Sequence, residues 1–417
     1  MLARILFLVA SLSIPGALCA EETPVEKAGF APRLTIYLAK GAPDSCGPGC
    51  DRWIAIEGEI DRDAAARIRR FLTGVKDTQR PIYLHSPGGN VEQSFAIGRL
   101  LRSRKAIARI GRTTATACAA GTQVDAACLK VKNATGEVEA DLTTRNAMCN
   151  SACGYLFLGA ASREVAPDAA MAVHNSKLTF VVHGHPPPQA VADYRRREMV
   201  TADRDRVAFV AAMGISRELN DLIRTVKFES HHVLTRSELY RFGIDTRPLP
   251  ETAWTLEKEE RPIIRKIALE KRDNDASFRT LEWRLFCENK DRARLMFVRE
   301  LDEGSAGERT VVMMAGADKS VAFGRFPVRI GKYQVWSDVV MPDTFKAMLA
   351  ARHLQVGETA STSDDKAGPT TFDIATAGLE PAWTQLLASC PAPTPVAKPV
   401  GPLPAAALPS VSAAPAR

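Results

Sequence analysis

The stretch from Pro81 to His174 restricts the fold more than any other part of the sequence: it reads PIYLHSPGGN, then CNSACGYLFLGAASREVAP, then MAVH. The apolar run Ile82 to Leu84 reads as a strand that ends in the tight turn Ser86-Pro87-Gly88-Gly89. Asn90 then caps the helical run Val91 to Leu101, with Ile97, Leu100 and Leu101 on one face, and Ala106 to Ile110 returns as a strand. Upstream, Leu34 to Leu38 and Trp53 to Ile56 alternate as strands, and Ile68, Phe71, Leu72 and Val75 repeat at helical spacing. This succession predicts an α/β fold with a largely parallel sheet and right-handed crossovers.

Within that frame a few residues suit acyl-transfer chemistry. Without Cβ atoms, Gly88 and Gly89 let backbone N–H groups approach a carbonyl oxygen, so the turn is an oxyanion-hole candidate. Ser151 opens an apolar segment, Tyr155 to Leu158, that suits a helix, and a hydroxyl at a helix N-terminus sits where the dipole favours developing negative charge. His174 ends the strand-like run Met171 to Val173, and a histidine at a strand tip can act as general base to a serine.

These residues resemble the Clp protease proteolytic subunit and its relatives in the Clp/crotonase superfamily, above all a periplasmic branch with the same SPGG turn, C-x-S-A-C and following V-H. The resemblance spans roughly Leu34 to Asp245 and implies Clp/crotonase-like stacked βαβ units. It further implies an oxyanion loop at Gly88 and Gly89, Ser151 as nucleophile, Ala152 as a second N–H donor and His174 as base. One position departs from the family pattern. Thr235 and Glu238 fit a capping box and Gly243 fits a helix stop, and this register puts His231 where the family carries its orienting aspartate. Glu229, two residues away, is the nearest substitute, and Asp221 is a weaker one. A histidine base whose tautomer no carboxylate fixes can lose roughly 10⁴-fold in turnover.

A chain of 417 residues with 46% hydrophobic content can bury two cores, so two folded domains with extensions are expected. Residues 1–20, MLARILFLVASLSIPGALCA, have an early arginine, an apolar run from Ile5 to Leu12 and small residues at the end, the pattern of a cleaved secretory signal peptide. The run is short for a stable membrane anchor. Periplasmic or secreted location follows, and nine cysteines less Cys19 leave an even number in an oxidising compartment. Cys46 and Cys50 flank Gly-Pro-Gly and would close a small loop. Cys118 and Cys128 lie in an insertion, residues 112–148, that they would staple. Cys149 and Cys153 bracket Ser151 within disulfide reach, and Cys287 with Cys390 would close the C-terminal domain. A redox pair or metal half-site at Cys149 and Cys153 is the competing reading, but no second Cys pair at suitable spacing supports a metal.

No metal or cofactor is expected. His183-Gly-His185 and His231-His232 lack a carboxylate or thiolate set around them. The net charge of +7 is mild, and the run Arg99, Arg102, Arg104 and Lys105 falls on an exposed helix end without interleaved aromatics, which argues against nucleic acid. Pro188 to Met213 and Ser216 to Val226 read as helices split at Gly214. The first is highly charged, and the resemblance makes it a candidate for contacts in a homo-oligomer.

The Clp/crotonase-like domain is thus placed at 21–250, a charged linker at 251–275 and a small disulfide-closed β-rich domain at 276–390. The last contains short alternating runs such as RLFCEN, RTVVMMAG and YQVWSDVVM, with a terminal helix at Leu379 to Leu387. Residues 391–417 are Pro/Ala-rich, with too little bulky apolar content to fold. Two function classes follow: an exported, ATP-independent serine hydrolase, by the resemblance a peptidase with a Ser-His dyad, or a Clp-like binding or scaffold protein that has lost catalysis. A peptide or protein substrate fits the first. No Walker-spaced motif marks an ATPase, and none is expected as a partner.

Overall fold

The computed structural model describes residues 32–178, 184–257, 261–272, 276–290, 292–301, 310–316, 319–322, 327–360 and 370–390. The expected signal peptide at 1–20, the tail at 391–417 and His183 lie outside them. The described residues hold together as one compact unit, inside which buried apolar side chains fall into three clusters.

The first strands are β1 (Thr35–Lys40) and β2 (Arg52–Glu57), an antiparallel pair joined through the Cys46–Cys50 loop. Helix α1 (Ala64–Gly74), β3 (Ile82–His85), α2 (Val91–Ser103) and β4 (Ile107–Ile110) follow as the βαβ alternation, with β2, β3 and β4 side by side and parallel. The Asn90 side chain accepts from the Gln93 N–H and starts α2 as a helix cap does. Strand period decides the layers. Ile54, Ile56, Ile82 and Leu84 face the helices and join the largest cluster, whereas Tyr37, Trp53, Ala55 and Tyr83 face the other way.

That second face would be an exposed aromatic patch without the insertion. Residues 112–148 supply β5 (Arg112–Ala115), α3 (Ala126–Lys132), β6 (Glu137–Thr143) and the start of the next strand. Strand β6 pairs parallel to β1 and antiparallel to β5, which extends the sheet, and Ala115, Cys128, Val138 and Ala140 close over the aromatics. Trp53 Nε1 donates to Thr113 Oγ1 at 2.9 Å, so the indole is buried with its N–H satisfied. A disulfide joins Cys118 to Cys128.

After the insertion come β7 (Met148–Asn150), α4 (Ala152–Leu158), β8 (Ser162–Glu164) and β9 (Ala170–Val173). Strand β8 completes the main sheet beside β4, in the order β5-β6-β1-β2-β3-β4-β8. Helix α5 (Pro188–Ala212), α6 (Glu218–Thr225), β10 (His232–Val233) and α7 (Arg236–Arg241) follow, and β10-β9-β7 form a small second sheet. Thr235 and Glu238 form the reciprocal capping box of α7. Asp245 is buried behind it. Burial alone would raise its carboxyl pKa, but ion pairs with Arg247 and Arg236 overrule that and hold it at about 2.

The remainder is antiparallel. Strands β11 (Thr255–Glu257), β12 (Ile263–Lys271), β13 (Phe278–Asn289) and β14 (Arg292–Glu300) are followed by β15 (Thr310–Gly316), β16 (Lys319–Ala322), β17 (Val328–Ile330) and β18 (Tyr333–Val340). Helix α8 (Pro342–Ala350), β19 (His353–Ala360), β20 (Thr370–Ala375) and α9 (Leu379–Ala388) complete it. The sheets run β11-β12-β13-β14-β18-β17 and β16-β15-β19-β20. Trp283, Phe297 and Trp336 stack in the core with centroids 5.1 and 5.4 Å apart. The Cys287–Cys390 bridge spans 103 residues, a loop whose closure contributes about 4.7 kcal/mol in the chain-entropy model.

One boundary needs correction. The stretch 251–275, expected to be a charged linker, contains β11 and β12, and β12 pairs with β13 along eight residues from Ile264 to Lys271. The reason is Lys266. Ile264, Lys266 and Ala268 form the buried face of β12, and a lysine in the middle position hides the apolar alternation. Its Nζ donates to the Thr252 carbonyl at 2.6 Å and pairs with Glu251 at 3.0 Å. The apolar clusters themselves change over between Ile244 and Trp254.

Candidate functional site

The SPGG turn and the serine are stitched together by backbone. Ser86 N–H donates to the Met148 carbonyl at 2.9 Å and Asn150 N–H to the Ser86 carbonyl at 3.0 Å, so the turn lies against β7, the strand that leads into Ser151. The two glycines then part company. Gly88 has φ +110°, and a Cβ built there would stand 2.7 Å from Ser151 Cβ. Gly89 has φ +134°, and its Cβ would stand 2.4 Å from the Ile60 carbonyl oxygen. Gly88 therefore permits the turn to reach the serine, whereas Gly89 permits it to lie against the backbone at Ile60, after β2. In the sequence the two border one oxyanion-hole candidate and are not distinguished. Gly88 N–H donates to the buried Ser86 hydroxyl at 3.1 Å, so a substrate oxygen would have to displace that acceptor.

Ser151 sits at the corner between β7 and α4 with φ 54° and ψ −124°. A serine at such an angle is strained and must be held by its surroundings, as in the sharp strand-to-helix turns that expose a nucleophile. Its N–H donates to the Ala172 carbonyl at 2.8 Å, which ties the corner to β9. Ala152, the next residue, begins α4, where an N–H has no intrahelical acceptor. Cys149 and Cys153 are joined by a disulfide with Cα atoms 5.1 Å apart.

His174 follows β9 directly and is 9% exposed. It lines a narrow pocket with Ser151, Gly154, Tyr155, Leu158, Met171, Val173, Leu219 and Ile223. Its Nδ1 is buried and has no hydrogen-bond partner among the described residues. The ring meets the edge of Phe228 at 5.1 Å and lies 4.7 Å from the ring of His231. Strand register explains the second contact. β10 pairs antiparallel to β9 with His232 opposite Val173, so the next position brings His231 opposite His174. Burial lowers the His174 pKa from the ordinary histidine value, and His231 lowers it further. The Asn175 backbone and Glu229 oppose the shift.

Glu229 is exposed and acts on His174 through space, without a hydrogen bond among the described residues. Asp221 pairs with Arg224 at 3.2 Å. His232, the other member of the His pair, is held by both Glu238 carboxyl oxygens at 3.0 Å. Sequence reasoning passed over His85. Its Nδ1 accepts the Met148 N–H at 3.2 Å, which fastens β3 to β7 and requires a neutral ring, and burial lowers its pKa. Only its place one residue before the SPGG turn could have flagged it.

Among the described residues, no group of three or more His, Cys, Asp or Glu side chains is placed to hold a metal ion, and no helix is long and apolar enough to cross a membrane.

No known family profile matches the chain. No curated protein matches it either. Among solved structures, a mutant of a membrane-bound stomatin-specific protease aligns with TM-score 0.28 and 15% identity, over 46% of this chain and 75% of that one. A ClpP1 mutant from Listeria monocytogenes aligns with TM-score 0.28 and 16% identity, over 45% of this chain and 85% of that one.

Proposed function

We propose that this chain is an exported serine hydrolase acting on peptide or protein substrates without an ATPase partner. The observation that carries this reading is Ser151, a non-glycine residue held at positive φ on a strand-to-helix corner, lining one pocket with a buried histidine whose Nδ1 is unsatisfied. The sequence resemblance to the Clp proteolytic subunit supports the same assignment and directs it to amide substrates.

In this mechanism His174 takes the Ser151 proton as Oγ attacks the carbonyl carbon. The tetrahedral oxyanion is stabilised by the Ala152 N–H and by the Gly88-Gly89 turn, and His174 returns the proton to the leaving amine. Water then hydrolyses the acyl-enzyme by the same route. His231 and Glu229 are the groups available to orient His174 from its other side.

A second reading has its own support. The ring 4.7 Å from His174 is that of His231, at the position where the sequence resemblance expects an orienting aspartate, and a histidine there suits a binding or scaffold protein that has kept the site's shape without its turnover. A fluorophosphonate probe separates the two. Under the hydrolase reading it labels Ser151, and Ser151→Ala and His174→Ala abolish labelling. Slow labelling over hours is compatible with a dyad, and Glu229→Gln or His231→Ala then identifies the orienting group by a further loss. No labelling above the Ser151→Ala background at any pH from about 6 to 9 leaves the binding reading.

A further inference from the structure

Cys149 lies where the parts of the candidate site join. On one side its strand is bonded to Ser86 of the SPGG turn, and on the other it pairs in register with Met171, three residues before His174. Two residues later the chain turns through Ser151, and two residues after that Cys153 lies in the first turn of α4. The disulfide closes this corner, and both cysteines are 0% exposed. Cys149 and Cys153 are four residues apart, so their bridge constrains little of the unfolded chain compared with the 103-residue loop of Cys287 and Cys390. Its effect is local, at the corner it spans.

We propose that Cys149 and Cys153 are positioning residues whose oxidation makes Ser151 competent. The catalytic consequence rests on the serine-hydrolase reading above. Two unbonded thiols need more room than a bond between their sulfurs. In the reduced chain β7 and the first turn of α4 are therefore pushed apart at the residue that must hold a positive φ, and Ser151 relaxes. On oxidation two S–H bonds break and one Sγ–Sγ bond forms, while two electrons and two protons pass to a disulfide oxidant such as oxidised glutathione, which leaves as two thiols. Because both cysteines are buried, the folded protein keeps the bridge once it is made. The serine would thus be inert in a reducing compartment and armed by folding in an oxidising one.

The test compares the full chain with Cys149→Ala/Cys153→Ala and, as a control, with Cys46→Ala/Cys50→Ala. Fluorophosphonate labelling is followed to saturation, together with amide hydrogen exchange. Loss of the bridge around Ser151 should lower the maximal labelling rate by about 100-fold, the scale of a 1 Å misplacement, and leave the half-saturating probe concentration unchanged. Exchange should accelerate at Ala152–Leu158, and the control should do neither. Equal labelling and exchange in all three chains overturns the proposal. If the native chain takes no probe but the exchange contrast appears, the hydrolase reading fails and the positioning role stands. If the double variant does not fold, the native sequence is refolded from its reduced chain with limiting oxidised glutathione and labelled, its free thiols are alkylated after denaturation, and its intact masses and peptides are resolved. Label that accumulates about 100-fold faster on molecules with Cys149 and Cys153 bridged supports the proposal, and equal rates on bridged molecules and on those with both alkylated overturn it.

Discussion

The antiparallel portion and the α/β portion each bury a basic side chain, and treat it differently. Lys266 in β12 is 0% exposed and meets a carbonyl, a carboxylate and, at 5.9 Å, the face of Trp254. His174 is 9% exposed, yet its Nδ1 has no hydrogen-bond partner among the described residues, and the strained serine lines the same pocket. Burial lowers the pKa of both. A base buried for architecture is surrounded by acceptors that keep its charge tolerable, whereas a base poised for proton transfer needs an open valence. An unpaired buried nitrogen costs stability that a purely structural histidine would have no reason to sacrifice.

This contrast can be broken most forcefully at Lys266. Lys266→Met leaves the Thr252 carbonyl without its buried donor and the half-buried Glu251 without its cation, and should destabilise by about 2 kcal/mol. Denaturant titration reads the loss, while fluorophosphonate labelling of the folded fraction should not change. Equal losses in both would show that the two portions act as one. Within the α/β portion, the two glycines provide a sharper division. Gly88→Ala should slow labelling by about 100-fold because its Cβ meets Ser151, and Gly89→Ala should lower the melting temperature instead because its Cβ meets Ile60.

Thr113→Val leaves the Trp53 N–H buried without an acceptor and should cost about 2 kcal/mol. A change within error would mean that the insertion is only loosely laid on the sheet. The smallest effect is in pH. A histidine with a lowered folded pKa stays neutral below the usual value of about 6.5, so labelling should hold its plateau through that point and fall only at lower pH. His85 is shifted the same way, and His85→Gln, which retains an acceptor, should leave the limb in place if His174 causes it. A limb above about 6.5 contradicts the buried, weakly basic His174.

Much of the α/β portion was legible because its signals are local. Asn90 and the Thr235-Glu238 box announce helix starts, and β-branched runs such as Ile54 to Ile56 announce strands. Ser151, His174 and the SPGG turn could be chosen from sequence as residues suited to one chemistry, but the pocket that Ser151 and His174 share depends on the pairing of β7 with β9, which has no local signature. The separate roles of Gly88 and Gly89 were illegible for the same reason, since each is fixed by what crosses it. Lys266 shows the opposite failure. A charge inside an alternating run reads as solvent-facing, and only the carbonyl of Thr252 and the carboxylate of Glu251, brought round by the fold, reverse that reading.

The Cys287–Cys390 bridge also sets how the antiparallel portion answers to force. Tension applied through the flanking backbone passes from one cysteine to the other across a Cα separation of 6.0 Å and bypasses the chain between them, a sequence separation of 103. At about 3.5 Å per extended residue, roughly 360 Å of contour length stays out of reach of a pull until the bridge is reduced. Most of β14 to β20 is thereby shielded mechanically as well as chemically. A pulled oxidised chain would yield its α/β strands, β11, β12 and β13 up to Cys287, and then stop short by that length.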